Sequence, residues 1–225
     1  MQHHAFRFHG ADLIARSDGA LYWPARAALI VADLHLGKAD RMARRGGALL
    51  PPYAEAETLD RLTASLAATD ARQVIVLGDA FDDAEAAASL LAAHRQRLGD
   101  LARGRDWLWI TGNHDAGADW SAAGLPGEGR DELELQGICL RHIASRGPDI
   151  SGHYHPAVRF MGSRRPAFLI GREHLILPAF GRYTGGLDAT DPALEGLAAP
   201  GLAVLTGPRA LALPWPLDAP ARAQT

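Results

Sequence analysis

The stretch Ala27–His35 reads AALIVADLH and joins a continuous apolar run to a polar tripeptide. An apolar run without alternation is typical of a strand buried on both faces of a sheet. Two similar runs follow, QVIVL over Gln73–Leu77 and WLWI over Trp107–Ile110. Apolar spacing and alanine and leucine content predict helices between them, over Tyr53–Ala68 and Ala84–Leu98. This β-α-β-α-β order predicts parallel strands with right-handed crossovers.

The flanking segments predict further strands. Phe6–Trp23 is interpreted as two short strands joined at Ser17-Asp18-Gly19, a hairpin-turn sequence. From Glu132 onward, short strands are predicted at Leu133–Leu135, Ile138–His142, Ala157–Phe160, Ala167–Ile170, His174–Leu177 and Leu202–Leu205. No helix of convincing length separates them, so this half is predicted to be mostly β. We expect a single domain over residues 1–225, with a less ordered tail after about residue 207.

Composition sets broad limits on the protein. Its 225 residues are 48% hydrophobic and 22% charged, which allows a sizeable core, and a net charge of −3 gives no global indication of nucleic-acid binding. Cys139 is the single cysteine, which favours a reducing, cytoplasmic location. The first ten residues lack the apolar segment of a secretory signal, and no long apolar run predicts a membrane span.

Five short polar motifs each follow a predicted strand. They are Asp33-Leu34-His35, Gly78-Asp79, Gly112-Asn113-His114-Asp115, His142 and Gly152-His153-Tyr154-His155. The carboxyl ends of neighbouring parallel strands share one edge of a sheet, where ligands gather. In Asp-x-His and His-x-His, alternate residues of an extended segment point the same way, so both can face one metal. The glycines are expected to let the chain turn sharply out of each strand.

The side chains of these motifs suit a metal centre. Imidazole, carboxylate and amide oxygen are ligands for Mn²⁺, Fe²⁺ or Zn²⁺, and the motifs offer no thiolate for a structural zinc knot. Each motif alone has an ordinary interpretation: Gly-Asp is often a turn, and His142 alone would be a hydrogen-bonded or exposed histidine. All five occur in order at strand ends, which favours a site for two metals roughly 3.5–4 Å apart.

At these residues the chain resembles the calcineurin-like metallophosphoesterases, from about Leu29 to His155. The resemblance implies a four-layer αββα sandwich of two mixed β-sheets flanked by helices. It implies that one metal is held by Asp33, His35, Asp79 and His155. It implies that Asp79 bridges to a second metal held by Asn113, His142 and His153. His114 is then the catalytic residue, as general acid or transition-state stabiliser.

A narrower resemblance extends to about Gly186. DLHLGKADRMARRGG from Asp33, GHYHPAVR from Gly152 and LPAFGRYTGG from Leu177 are similar to the ligase-associated DNA damage response endonucleases of PdeM type. That family often has a histidine near the position of Asp82, so the resemblance implies no role for Asp82. Asp82 and Asp83 are interpreted as a solvated helix start, favoured by the helix dipole.

Local charge bears on the substrate. The segment 38–45 has four basic residues and one acidic one, and seven arginines lie in the segment 141–182 against two acidic residues. Lys38, Arg41 and Arg182 are therefore candidate substrate-binding residues, and Met42, Tyr154 and Tyr183 are candidates for base stacking. Three hypotheses follow: a DNA-directed phosphodiesterase or endonuclease of DNA repair, a phosphoesterase of a small nucleotide, and a metal-stabilised module that docks an ATP-dependent DNA ligase or helicase.

Overall fold

The fold contains two β-sheets. The computed structural model describes residues 2–46, 50–51, 53–114 and 116–216. The first sheet has seven strands in chain order: β1 (His3–Phe8), β2 (Ala11–Arg16), β3 (Leu21–Trp23), β4 (Ala28–Ala32), β5 (Gln73–Leu77), β6 (Asp106–Ile110) and β7 (Glu128–Arg130). The strands β1 to β4 pair antiparallel, and β4 to β7 pair parallel. The predicted parallel centre of the sheet is confirmed. The N-terminal segment forms three strands rather than two, because the chain also turns at His9 and Gly10, both with positive φ.

The second sheet is built from the C-terminal half. Its strands are β8 (Glu132–Leu135), β9 (Ile138–Arg141), β10 (Asp149–Ser151), β11 (Ala157–Phe160), β12 (Ser163–Ile170), β13 (His174–Ile176), β14 (Gly201–Leu205) and β15 (Leu211–Trp215). Their order is β15-β14-β12-β13-β10-β9-β8, with β11 paired to β12. β10 is parallel to both neighbours and the other pairs are antiparallel, so this sheet is mixed. β15 lies in the segment that was expected to be less ordered, and residues 217–225 of that tail lie outside the described residues.

Five α-helices lie among the described residues: α1 (Lys38–Arg44), α2 (Ala54–Ala67), α3 (Ala84–Ser89), α4 (Ala92–Ala102) and α5 (Pro192–Ala198). The prediction of one helix over Ala84–Leu98 is wrong, because Leu90 and Leu91 adopt extended ψ angles of 129° and 136°. Leu90 enters the core, and the Arg95 guanidinium donates hydrogen bonds to the carbonyls of Ala88 and Leu90. These bonds satisfy the end of α3 and favour the break. Within the described residues, no helix is long and apolar enough to cross a bilayer.

The alternation of side chains along the strands creates four layers. In β4, Leu29 and Val31 pack with residues of α2 and α4, whereas Ile30 packs with residues of the second sheet. On the outer face of the second sheet, Leu194 of α5 joins a third apolar cluster. The order helices, sheet, sheet, helix is the predicted αββα sandwich.

Candidate metal centre

The loops that carry the first two motifs leave the first sheet together. The backbone N–H of Asp33 donates to the carbonyl of Gly78 (3.2 Å), and that of His35 donates to Asp79 (2.9 Å). A third segment, after β13, joins them, because Gly181 N–H donates to the Asp33 carbonyl at 3.0 Å. Pairing between β4 and β5 thus continues past their ends and fixes where the motif side chains start.

A left-handed backbone recurs among the predicted ligands. Positive φ angles occur at Asp33 (55°), His35 (46°), Asp79 (45°), His153 (69°) and His155 (46°). Non-glycine residues rarely adopt this region, and they cluster in it at functional sites. The loops are therefore folded to aim these side chains, at a cost that the surrounding contacts offset.

Two of the three motif glycines act differently from the prediction of a sharp turn. Only Gly78 among them has a positive φ, of 72°. At Gly112 a Cβ would lie 2.2 Å from the backbone N of Asp79, and at Gly152 it would lie 2.6 Å from Asp33 Oδ2. Gly112 and Gly152 are thus needed for close approach to the two buried aspartates rather than for a sharp turn.

The first ligand group consists of Asp33, His35 and His155, whose ligand atoms lie within 4.8 Å of one another. Nε2 of His155 lies 3.4 Å from Asp33 Oδ1 and 3.4 Å from His35 Nε2. Two backbone contacts reinforce the group, because His153 N–H donates to both Asp33 oxygens (3.2 and 2.9 Å).

The second ligand group consists of Asp79, His142 and His153. Nε2 of His142 lies 3.4 Å from Asp79 Oδ2, 3.1 Å from His153 Nδ1 and 3.0 Å from Asn113 Oδ1. Asn113 therefore lies beside this group, with its amide oxygen against His142.

Asp79 lies between the two groups. Its Oδ2 is 3.4 Å from His142 Nε2 and 3.9 Å from His35 Nε2. Burial alone would raise the pKa of Asp79, but the hydrogen bond and charge of His142 and the backbone N–H of His114 lower that pKa to about 2. An ionised carboxylate here can face both groups at once.

The charge of this cluster fits divalent cations. Asp33 and Asp79 are 0% and 2% exposed, and their ion-pair partners among the described residues are all histidines. A buried carboxylate normally needs a cationic partner. Two carboxylates, four imidazoles and one amide oxygen converging without lysine or arginine form a donor set suited to two such ions.

The imidazole rings of the second group differ in how they are held. Nδ1 of His142 lies 3.1 Å from the Leu77 carbonyl, which leaves Nε2 facing the cluster. Burial lowers the pKa of His142, but Asp79 and Asp33 raise it more, and the net shift is upward. Burial and the neighbouring His142 lower the pKa of His153.

His114 lies at the open side of the centre. Its backbone N–H donates to Asp79 Oδ1 (2.9 Å), while its Nε2 is 4.0 Å from Asp79 Oδ2. The side chain is 29% exposed, and its Nδ1 lies 2.9 Å from the Asp82 carbonyl oxygen. His114 is absent from both ligand groups and faces solvent beside them. Asp115, the last residue of its motif, lies outside the described residues.

The interpretation of Asp82 as part of a solvated helix start is wrong. Asp82 is 2% exposed, with Oδ1 at 2.8 Å from His35 Nδ1 and Oδ2 at 2.8 Å from Arg41 Nη1. Burial would raise the pKa of Asp82, but His35 and Arg41 hold it well below its usual range. Asp83 alone starts α3, since its side chain accepts the Ala86 N–H. With two adjacent acids and one capping position, the sequence does not reveal which one turns inward.

The three candidate substrate-binding residues have different settings. Lys38 and Arg182 line the same small cavity as His35. Lys38 Nζ lies 3.4 Å from the Thr184 carbonyl, and Arg182 Nε lies 3.0 Å from the exposed Glu57 carboxylate. Arg41 is instead engaged by Asp82 and is 22% exposed, so it belongs to the framework of the centre rather than to its rim.

The two face-to-face sheets, the outer helices and the polar cluster at the strand ends define a calcineurin-like metallophosphoesterase fold. No family model matches the sequence, and no curated protein sequence matches it. Among solved structures, the chain is similar to the crystal structure of Pseudomonas putida nuclease MPE. The TM-score is 0.75 and the identity 34%, over 94% of this chain and 100% of that chain. The chain belongs to the family of that nuclease, the ligase-associated DNA damage response endonucleases.

Proposed function

We propose that this protein is a metal-dependent phosphodiesterase that cleaves DNA, an endonuclease linked to DNA repair. The observation that carries the proposal is the pair of ligand groups that meet at Asp79, beside the partly exposed His114. The 34% identity to a nuclease over nearly the whole chain supports the substrate class.

The centre is proposed to hold two divalent ions. Asp33, His35, Asp79 and His155 would hold one, and Asp79, Asn113, His142 and His153 would hold the other. The nitrogen and oxygen donors are compatible with Mn²⁺, which we propose as the ion, with Fe²⁺ or Zn²⁺ as alternatives. When bound, such ions supply an activated water and neutralise charge on the phosphate.

His114 is proposed to be the proton donor to the leaving oxygen. When His114 has a proton on Nδ1, the Asp82 carbonyl oxygen accepts a hydrogen bond from that nitrogen. A second proton, on His114 Nε2, would then be directed toward the open side of the centre. Positioned acids of this kind contribute about 10²–10⁴-fold to a rate.

Lys38 and Arg182 are proposed to guide the DNA backbone toward the centre. Arg182 Cζ lies 5.6 Å from the centre of the Tyr183 ring, and that tyrosine is 41% exposed. Scattered cations beside an exposed aromatic ring suit a single-stranded polyanion with stacking bases.

The test compares Mn²⁺-dependent hydrolysis of circular single-stranded DNA, a small chromogenic phosphodiester and a phosphomonoester. We expect the circle to be opened, which requires internal cleavage, and the diester to react faster than the monoester. Preference for a nucleoside monophosphate would favour a small-nucleotide phosphoesterase. Absence of turnover with both metals bound would favour a docking module.

The rim is tested with Lys38→Ala and Arg182→Ala together. We expect weaker DNA binding with a shallower dependence on salt, and nearly unchanged hydrolysis of the small diester. Arg172→Ala is the matched control, because that arginine is 94% exposed and lies before β13, at the opposite end of the strand from the centre. Equal loss on both substrates would assign these residues to the metal centre instead.

Cellular context is proposed from the family. An association with an ATP-dependent DNA ligase or a helicase, in the cytoplasm, is consistent with the ligase-associated relatives and with the single free cysteine, Cys139. Co-purification of either partner with the tagged protein is the measurement that checks the association.

A further inference from the structure

Asp82 touches two histidines of the centre although it belongs to neither ligand group. Its carboxylate lies against the His35 ring, and its backbone carbonyl lies 2.9 Å from His114 Nδ1. We infer that Asp82, held in place by Arg41, is a positioning residue that sets which nitrogen of His35 faces the metal. The inference rests on the proposed function, because it assigns His35 to a metal.

The His35 ring presents different nitrogens to different neighbours. Nδ1 lies 2.8 Å from Asp82 Oδ1, whereas Nε2 lies 3.4 Å from His155 Nε2 and 3.9 Å from Asp79 Oδ2. The Nδ1 contact is short but not aligned as a hydrogen bond, so it acts by charge and proximity. A carboxylate at one ring nitrogen favours the proton there and leaves the lone pair on the other nitrogen. Asp82 therefore favours Nε2 as the ligand atom.

Arg41 keeps the Asp82 carboxylate in this place. Its Nη1 lies 2.8 Å from Asp82 Oδ2, and its Nε lies 3.6 Å from an Asp83 oxygen. A carboxylate that is 2% exposed is costly to bury without such a cation. Arg41 lies on α1, which begins three residues after His35. A short segment of chain therefore links His35 to the arginine that holds the Asp82 carboxylate in place.

An ordinary helix-start role does not account for this arrangement. Asp83 already supplies the cap of α3, by accepting the Ala86 N–H at 2.7 Å. The Asp82 side chain points the other way, into the centre. The Asp82 N–H donates to the carbonyl of Leu36, so the loop that carries Asp82 pairs with the chain directly after the first motif. Asp82 is buried, its side chain contacts His35 and Arg41, and its carbonyl contacts His114. These contacts lie on the side of the loop that faces the metal centre.

The test is Asp82→Asn, which keeps the shape but removes the carboxylate charge that faces His35 and Arg41. Calorimetric titration with Mn²⁺ should show two ions in the wild type. In the variant, one of the two should bind about 10- to 100-fold more weakly while the other is nearly unchanged. Asp40→Asn is the matched control, because Asp40 pairs with Arg44 on the exposed side of α1 and does not contact His35.

A second readout does not depend on metal or turnover. Nitrogen-15 NMR of metal-free, histidine-labelled protein should show His35, assigned with His35→Gln, with its proton on Nδ1 in the wild type and in Asp40→Asn. Asp82→Asn should shift His35 toward the other tautomer. Unchanged Mn²⁺ affinities together with an unchanged tautomer would overturn the inference.

Failure of the inference and failure of the proposed function are distinguishable. A wild type that cleaves no DNA or binds one ion contradicts the proposed function, while the tautomer comparison still decides the role of Asp82. If Asp82→Asn does not fold, Arg41→Lys replaces it, since it keeps the charge but loses the planar fork. That variant should weaken one Mn²⁺ site and leave the other nearly unchanged, and full retention of both affinities would contradict the inference.

Discussion

Five of the residues proposed to bind metal have a left-handed backbone, which the motif pattern does not reveal. Each such residue costs of order 1–3 kcal/mol relative to relaxed backbone. The hydrogen bonds that continue from β4 and β5 into the loops hold Asp33, His35 and Asp79 in this conformation. At the residue scale, the centre is preorganised by the backbone as much as by side-chain packing.

The role of His114 gives the first prediction. His114→Gln should keep both Mn²⁺ ions and lose about 10²–10⁴-fold in turnover, because an amide cannot donate an ionisable proton. Elemental analysis and steady-state rates check this. His94→Gln is the control and should keep activity, because His94 lies on α4 and pairs with Glu55 of α2. Loss of metal along with activity would make His114 a ligand.

The raised pKa of His142 gives a prediction on pH. In the metal-free protein His142 holds its proton to a higher pH than an ordinary histidine, and that proton must leave before Nε2 can bind metal. Mn²⁺ affinity should therefore fall as the pH drops below this raised pKa, and binding near neutral pH should release protons. Calorimetry in buffers of different ionisation enthalpy measures that release. A heat independent of the buffer would contradict the prediction.

At the scale of elements, the exits of the strands matter more than the helices. The chain passes Gly152 close against Asp33 and the end of β5, and a Cβ there would meet Asp33 Oδ2 at 2.6 Å and the Leu77 carbonyl at 3.1 Å. The short α1 serves the same edge, because it brings Arg41 to Asp82.

Gly152→Ala tests this close approach. The variant should fold but bind Mn²⁺ much more weakly, since Asp33 must move to make room for the Cβ. Gly99→Ala is the control: Gly99 is helical, and a Cβ there meets nothing within 4 Å. That change should stabilise the protein by about 0.5–1 kcal/mol and leave metal binding intact. A wild-type Mn²⁺ affinity in Gly152→Ala would contradict the prediction, because it would show that the loop can move to make room for the Cβ.

At the scale of the whole molecule, the centre joins the two sheets. Asp33 and Asp79 follow strands of the first sheet, and His142, His153 and His155 follow strands of the second. Ions held between them would link the two halves of the sandwich. Metal binding and folding stability are then coupled.

Removal of metal should lower the melting temperature. At a free Mn²⁺ concentration near 100 times the dissociation constant, binding at one site stabilises the folded protein by about 2.7 kcal/mol. A chelator removes that contribution. Thermal unfolding with Mn²⁺ and with chelator measures the shift. Asp79→Asn, which alters the residue shared by both groups, should reduce the shift to a small remainder. An equal shift in that variant would place the ions elsewhere.

The sequence predicted much of this architecture because its signals are local. The apolar runs of β4, β5 and β6 indicate burial on both faces, and the motif that follows each run lies at the sheet edge as expected. Six of the C-terminal strands were predicted, whereas β7, β10, β15 and the helix α5 were not. Short exposed segments such as Glu128–Arg130 form strands through pairing with a neighbour rather than through their own pattern.

By itself, the sequence determined the three parallel strands β4, β5 and β6 of the first sheet, their burial on both faces and the motifs that follow them. These follow from periodicity and from the chain direction of parallel strands. Only the tertiary structure decided that Asp82 turns inward, that Arg41 supports the centre and that Gly112 and Gly152 make room for carboxylates. The physical reason is that burial and pairing depend on segments distant in sequence. Whether an acid is solvated or buried is set by the partners that the fold brings to it.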